Sequence, residues 1–229
     1  MDNDNRAESQ SWDPFAGVAP DREAALSQYR DRAPIYDLEL RVFEPIRRRA
    51  INRLWLRRGS TVIDVACGTG LSFERLRKQV GSRGHVIGID QSADMLARAR
   101  ERVERSGWTN FTLIKSPTEA ADIGMVADAA IFHFTHDVMR TRDAVCNVLR
   151  SLRPGGRVVA CGLKWAPPWA MPVNLAVFYA AMRSVSTFEG LARPWSLLEP
   201  LLEDFQIEER QAGSVYIASG CVDRLTLDS

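Results

Sequence analysis

From Thr61 onward, short apolar runs alternate with segments of helical period. The runs Thr61–Val65, His85–Asp90, Phe111–Lys115, Ala127–Phe132 and Arg157–Gly162 are rich in β-branched or other apolar residues, as strands buried on both faces require. Between them, Ser92 is placed to cap a helix in which Met95, Leu96, Ala99 and Val103 share a face and which Gly107 ends. A second helix spans Thr141–Leu152, with Val145, Val148, Leu149 and Leu152 turned inward and Pro154-Gly155-Gly156 as its stop. Strands alternating with helices predict an α/β fold built on a doubly wound, mostly parallel sheet. Two later runs, Phe205–Arg210 and Ser214–Ser219, are joined only by Gln211-Ala212-Gly213. That link is too short for a parallel crossover, so a seven-stranded sheet ending in an antiparallel hairpin is expected.

Upstream of the first strand the pattern is helical. The first twenty or so residues are polar and acidic, interrupted by Trp12 and Phe15, and are expected to be mobile. Residues 21–229 then make one domain, whose segment 21–58 forms an amino-terminal helical cover. Its helices run near Asp21–Arg32 and from about Ile35 to Leu56. Arg47, Arg48, Arg49, Arg53, Arg57 and Arg58 crowd the end of the second helix, where positive charge suits a carboxyl terminus. A solvated face is the plain reading of this cluster; an anion or lipid-headgroup patch is the alternative.

Beyond the fifth strand, residues 164–202 form an insertion with Trp165, Trp169, Met171, Phe178, Tyr179 and Met182, and with no acidic residue before Glu189. The prolines of WAPPWAMP make its first part a loop. Met171, Leu175, Phe178 and Met182 recur at helical spacing, which ordinary core packing also produces. The remaining readings are a lid over an apolar acceptor, a contact between two copies, and a peripheral membrane contact.

Composition narrows the partners. A chain of 229 residues with 45% apolar content suits a single domain with a substantial core. Thirty basic against 29 acidic residues leave a formal charge of +1, so no nucleic-acid partner is expected. No apolar run approaches the ~20 residues of a membrane span, and the start lacks the basic-then-apolar order of a secretory signal. Cys67, Cys146, Cys161 and Cys221 have no paired spacing, which predicts neither a metal site nor a disulfide framework and favours the cytoplasm.

The chemistry concentrates in TVIDVACGTGLSFERL, a strand, a small-residue turn and a helix. Gly68 and Gly70 let the backbone approach a ligand, and the next helix points free N–H groups at it. With Gly68 and Gly70 as its first two glycines, the dinucleotide fingerprint G-x-G-x-x-G wants a third at position 73, where Phe73 stands instead, and Ala66 ahead of the pair offers no glycine either. Asp90 ends the second strand 20 positions after Gly70, where a carboxylate reaches both hydroxyls of a ribose. Capping the next helix is the alternative for Asp90, although Ser92 already fills that role.

The segments VIDVACGTG, VIGIDQSADML and LRSLRPGGRVV, in that order and spacing, resemble the Rossmann-like S-adenosylmethionine-dependent methyltransferases, nearest the branch of the ubiquinone/menaquinone methyltransferases. The resemblance runs from about Tyr29 to Gly162, plus the hairpin. It implies S-adenosyl-L-methionine as cofactor. Asp64 would orient the methionine amino group, and Ala66, Gly68 and Gly70 would shape the pocket. Asp90 would bind the ribose, with Gln91 and Met95 flanking the adenine. Ser116, or Pro117 or a backbone amide, would stand where the family usually has an acidic residue for the adenine amino group. Phe132, His133 and Phe134 would lie along the sulfonium, and Tyr36 would close the site.

Methyl transfer is an in-line displacement that needs alignment and desolvation, with a base when the acceptor is a phenol or carbon acid. His136 and His133, in FHFTHDV after the fourth strand, are the candidate catalytic bases. Packing beside the cofactor and starting a helix are the plainer roles for the two. The resulting expectation is a methyltransferase, monomeric or homodimeric, acting on oxygen or nitrogen of a small, apolar or aromatic molecule. Carbon methylation of a quinone-like ring, amine methylation of a phospholipid, and cofactor binding without catalysis are the alternatives.

Overall fold

A computed structural model describes residues 40–182 and 187–223 of the protein. The segment 1–20, the helix expected near Asp21–Arg32, and Tyr36 lie outside the described residues. Strands β1 (Thr61–Val65), β2 (His85–Asp90) and β3 (Phe111–Lys115) occupy the residues that the apolar pattern predicts. Strand β4 (Ala127–His133) is one residue longer, and β5 (Leu152–Leu163) begins five residues early. Leu152 already pairs with Ala127, and an irregularity before the Ala129–Arg157 pair absorbs the Pro154-Gly155-Gly156 turn. The hairpin strands β6 (Leu202–Arg210) and β7 (Val215–Val222) also extend beyond their apolar centres.

The seven strands lie in the order β3-β2-β1-β4-β5-β7-β6. Neighbours among β1 to β5 are parallel, whereas β7 runs antiparallel to both β5 and β6. Strand order therefore reverses direction between β1 and β4. A crevice opens at such a switch point, outside the carboxyl ends of the strands.

The helices are α1 (Glu44–Asn52), α2 (Phe73–Val80), α3 (Ala93–Arg105), α4 (His136–Met139), α5 (Arg142–Arg150) and α6 (Met171–Met182). The cover helix expected to Leu56 ends earlier. Trp55 adopts a left-handed conformation (φ 51°) that turns the chain away, and the Arg157 guanidinium lies 4.0 Å over its ring. At the other end Pro45 sits in the first turn of α1, where a missing N–H costs nothing, and residues 40–43 coil as a 3-10 turn. Ser92 caps α3 as expected, its hydroxyl accepting from the Met95 N–H at 3.3 Å. None of the described helices is long and apolar enough to cross a membrane.

Alternation along the strands sorts side chains onto two faces. Ile63, Val65, Ile87, Ile89, Ala130, Phe132, Val158 and Ala160 point to the face packed by Val145, Val148 and Leu149 of α5. Val62, Val86, Ala129, Ile131, Val159 and Cys161 point to the other, packed by Ile46, Ala50 and Ile51 of α1 and Phe73, Leu76 and Val80 of α2. The same alternation carries Asp64 and His133 to the α1 side, with His133 paired to Cys161 across β4 and β5. Two polar groups thus end up beneath one helix at the switch point.

Candidate functional site

Three residues with left-handed backbone shape the turn after β1: Ala66 (φ 49°), Gly68 (φ 56°) and Gly70 (φ 77°). Phe134, the first residue after β4, is left-handed too (φ 54°). Non-glycine residues hold this conformation only where their surroundings enforce it, and such positions gather at functional sites. The phenylalanine in the third position of the glycine pattern also has a physical reason. A Cβ on Gly70 would stand 2.5 Å from the Phe73 ring, and one on Gly88 would stand 2.8 Å from it. The ring fills space that two glycines vacate.

Side chains from β2 and α3 hold the turn from outside. Asp90 accepts from the Gly68 N–H at 2.8 Å through Oδ2, and from the Ser92 N–H at 2.8 Å through Oδ1. Arg102 donates from Nε to the Thr69 carbonyl at 3.0 Å. Burial raises the Asp90 pKa and these two N–H bonds oppose the rise. Asp90 is therefore a fastener of the turn, and a carboxylate with two N–H bonds still has lone pairs for a ligand hydroxyl.

Arg47, Asp64, Ala66, Cys67, Thr69, Leu71, Ser72, His133 and Phe134 line a cleft at the carboxyl ends of β1 and β4. It encloses about 330 Å³, counting space open to solvent. Asp64 is buried, and its Oδ2 has no hydrogen-bond partner. Burial pushes its pKa up to about 7, against a smaller downward pull from Arg47 and with Asp90 adding to the rise. Arg47 is only 3% exposed and donates from Nη1 to Glu44 at 2.6 Å. Glu44 also accepts from Arg75 Nε at 2.6 Å, which ties α1 to α2.

The two histidines differ in setting. His133 Nδ1 lies 2.9 Å from the Ser72 hydroxyl, and its Nε2 is buried without a partner. Burial, reinforced by the Arg47 charge, pulls its pKa down to about 3, so the ring is neutral. His136 does not line the cleft; its Nε2 is 2.8 Å from the Glu189 carbonyl oxygen. Burial lowers its pKa too, opposed by that bond.

Of the residues expected at the cofactor, Asp64, Ala66 and His133 meet in the cleft, and Gly68 and Gly70 form the turn beside it. Asp90 ends β2, Gln91 follows it, and Met95 lies buried in the first turn of α3. Ser116 donates its hydroxyl to the Pro117 carbonyl at 2.9 Å. The Phe132 ring belongs to the α5-side core, on the face opposite to the cleft. The residue that pattern reading missed is Arg47, taken with its neighbours as a solvated face. A signal was present: Arg47 shares the buried stripe of α1 with Ile46, Ala50 and Ile51. A charge on an apolar stripe needs a partner inside.

A family model described as a methyltransferase domain matches residues 56–197. Demethylmenaquinone methyltransferase of Shouchella clausii is 28% identical over 149 residues, covering 63% of this chain and 61% of the relative. Arsenite methyltransferase of Halobacterium salinarum is 30% identical over 122 residues, covering 51% of this chain and 30% of the relative. The chain therefore spans less than two thirds of the length of either relative. Among solved structures, the N-methyltransferase NodS of Bradyrhizobium japonicum in complex with S-adenosyl-L-homocysteine aligns with a TM-score of 0.62 at 18% identity. That alignment covers 87% of this chain and 98% of NodS, and it shows a shared fold.

Proposed function

We propose that this chain, which belongs to the methyltransferase-domain family, transfers a methyl group from S-adenosylmethionine to a small, largely apolar acceptor. The observation that carries the reading is the opposed pair in the cleft. A buried carboxyl whose Oδ2 has no hydrogen-bond partner, Asp64, and a buried guanidinium, Arg47, share one small space. An amino acid carries an ammonium and a carboxylate, so the methionine end of the cofactor would complement both. Asp64 Oδ2 bears a desolvation cost that an ammonium would relieve, and Arg47, already bonded to Glu44, has further N–H groups for a carboxylate.

The residues present fit the rest of the cofactor as well. The Asp90 lone pairs suit ribose hydroxyls, and Gln91 and Met95 stand next in the chain for the adenine. Once bound, S-adenosylmethionine supplies a methyl carbon on a sulfonium, which makes the transfer an in-line displacement. The protein's contribution is to orient and to exclude water. His133, neutral and tied to Ser72, makes a weak base near neutral pH. His136 has its Nε2 committed to Glu189. Neither histidine supports the general-base role, and we infer that the acceptor arrives already nucleophilic, as a neutral amine or an ionised hydroxyl.

On the acceptor side Trp165, Phe188 and Phe178 stack as a column, with ring centroids 6.1 and 5.2 Å apart and planes within 14°. Flat apolar surface of this kind favours a planar apolar acceptor. Carbon methylation of a quinone-like ring is the second reading, favoured by the same column and by the likeness to demethylmenaquinone methyltransferase. Calorimetric titration with S-adenosylmethionine, followed by incubation with phenol, amine and hydroquinone acceptors, tests both. Methyl transfer to phenols or amines supports the first reading and transfer to ring carbon the second. A folded protein that binds neither cofactor nor product removes both.

A further inference from the structure

Helix α4 is one turn long, yet it holds a segment more than fifty residues away. The His136 imidazole meets the Glu189 carbonyl oxygen at 2.8 Å. A carbonyl only accepts, so His136 Nε2 carries the proton and donates. In the neutral ring Nδ1 is then a bare lone pair, and it is buried without a partner. Four residues on, and so on the same side of the turn, Arg140 pairs with the Glu189 carboxylate at 2.8 Å. Backbone and side chain of one residue are thus gripped from one short helix and the residue that caps its end.

The neighbouring residues are shaped to this grip. Gly190 is left-handed (φ 76°), and a Cβ there would stand 2.8 Å from the Arg140 guanidinium. Arg140 lies against bare backbone at Gly190, where a side chain would crowd the guanidinium and strain the left-handed turn. Thr187, buried, accepts the Glu189 N–H on its hydroxyl at 3.1 Å. Between Thr187 and Glu189 sits Phe188, the middle ring of the aromatic column. The column's first ring, Trp165, donates its backbone N–H to Leu191 at 3.0 Å. Trp165 follows the carboxyl end of β5, the same sheet edge as the cleft.

We propose that His136 is a positioning residue, donating one hydrogen bond that, with Arg140, fixes Glu189 and so sets Phe188 within the ring column of the acceptor side. The proposal rests on the reading that an acceptor enters at this edge. It differs from a base role in what it needs from the side chain. A donor N–H is required and a titratable lone pair is not. Glutamine supplies the first without the second; alanine supplies neither.

The test is amide hydrogen exchange on the full chain, alongside calorimetric titration with S-adenosylhomocysteine. In His136→Ala, exchange at Trp165, Glu189 and Leu191 accelerates at least tenfold, while β1 and β4 stay protected and affinity for S-adenosylhomocysteine holds within twofold. His136→Gln returns exchange to within threefold of the parent. Arg140→Gln, which removes the second half of the grip, loosens the same amides to a lesser degree. Unchanged exchange in His136→Ala, or a glutamine variant as loose as the alanine one, overturns the proposal. Lack of S-adenosylhomocysteine binding by the parent would instead sink the methyl-transfer reading, with the exchange result still legible.

Discussion

The two sides of the sheet's carboxyl edge are built by different means. On the cofactor side, from β1 to β4, backbone does most of the work. Three left-handed residues shape the turn, and the Asp90 carboxylate and Arg102 fasten it by its own N–H and C=O groups. On the side of the 164–202 segment, the described residues are pinned at a few separate points, again by side chains that bond to backbone. Asn174 both donates to and accepts from Ala166, at 3.0 and 2.8 Å, and His136 and Arg140 grip Glu189. Helix α6 buries Val177 and Ala181 but leaves Met171, Leu175 and Tyr179 each more than 60% exposed. Backbone geometry leaves little room for variation, whereas a segment pinned at a few side chains can change its lining freely.

The contrast breaks most visibly at Gly70. Gly70→Ala puts a methyl group 2.5 Å from the Phe73 ring at a left-handed φ of 77°. The expected result is at least a hundredfold loss of S-adenosylhomocysteine affinity by calorimetry, with a stability loss of about 2–4 kcal/mol in chemical denaturation.

Asp64→Asn comes next, with a tenfold or greater loss of affinity at pH 8. Its pH signature is more specific. The free Asp64 carboxyl titrates at about 7 because it is buried, and an ammonium ligand needs the ionised form. Binding then releases a proton below neutrality, and parent affinity falls about tenfold from pH 8 to pH 6. The asparagine variant shows no such fall. Without ligand the sign reverses. A carboxyl whose folded pKa lies above its unfolded value of 3.8 holds its proton more tightly when folded, so the parent loses stability as pH rises from about 4 to about 7 and loses no more above that. Urea denaturation at pH 5 and pH 8 should show the parent losing ground to Asp64→Asn.

Arg47→Met is expected to weaken binding by about tenfold, the scale of one charged hydrogen bond. It also removes a pull that lowers the Asp64 pKa, so the break in the affinity profile moves above pH 7. The smallest effect belongs to helix α6. Leu175, 71% exposed, tolerates Leu175→Glu with a stability change within about 0.5 kcal/mol and unchanged S-adenosylhomocysteine affinity. A large loss there would show that the α6 face is covered, which sharpens the contrast in the opposite direction.

Legibility in the sequence followed the same division. Strands β1 to β4 were readable almost to the residue, because runs buried on both faces must be apolar and short, whereas β5 starts five residues early through the polar Arg153-Pro154-Gly155-Gly156 stretch. The hairpin was readable from one tight link. Gly68, Gly70 and Asp90 stood out because turns of this kind restrict residue type. Arg47 was hidden among surface arginines, since its burial depends on α1 lying over β4 and β5. The fate of His136 was hidden as well. Its partner is a main-chain carbonyl at position 189, and a carbonyl leaves no mark in residue type.

The central claim is that Asp64 and Arg47 together receive the amino-acid end of S-adenosylmethionine. Calorimetric titration of the parent protein with S-adenosylhomocysteine, repeated at pH 6 and pH 8 in buffers of different ionisation heat, tests it most directly. The account predicts micromolar binding at pH 8, about tenfold weaker at pH 6, with close to one proton released at the lower pH. Binding of equal strength at both values without proton release, or no binding by folded protein, would contradict it.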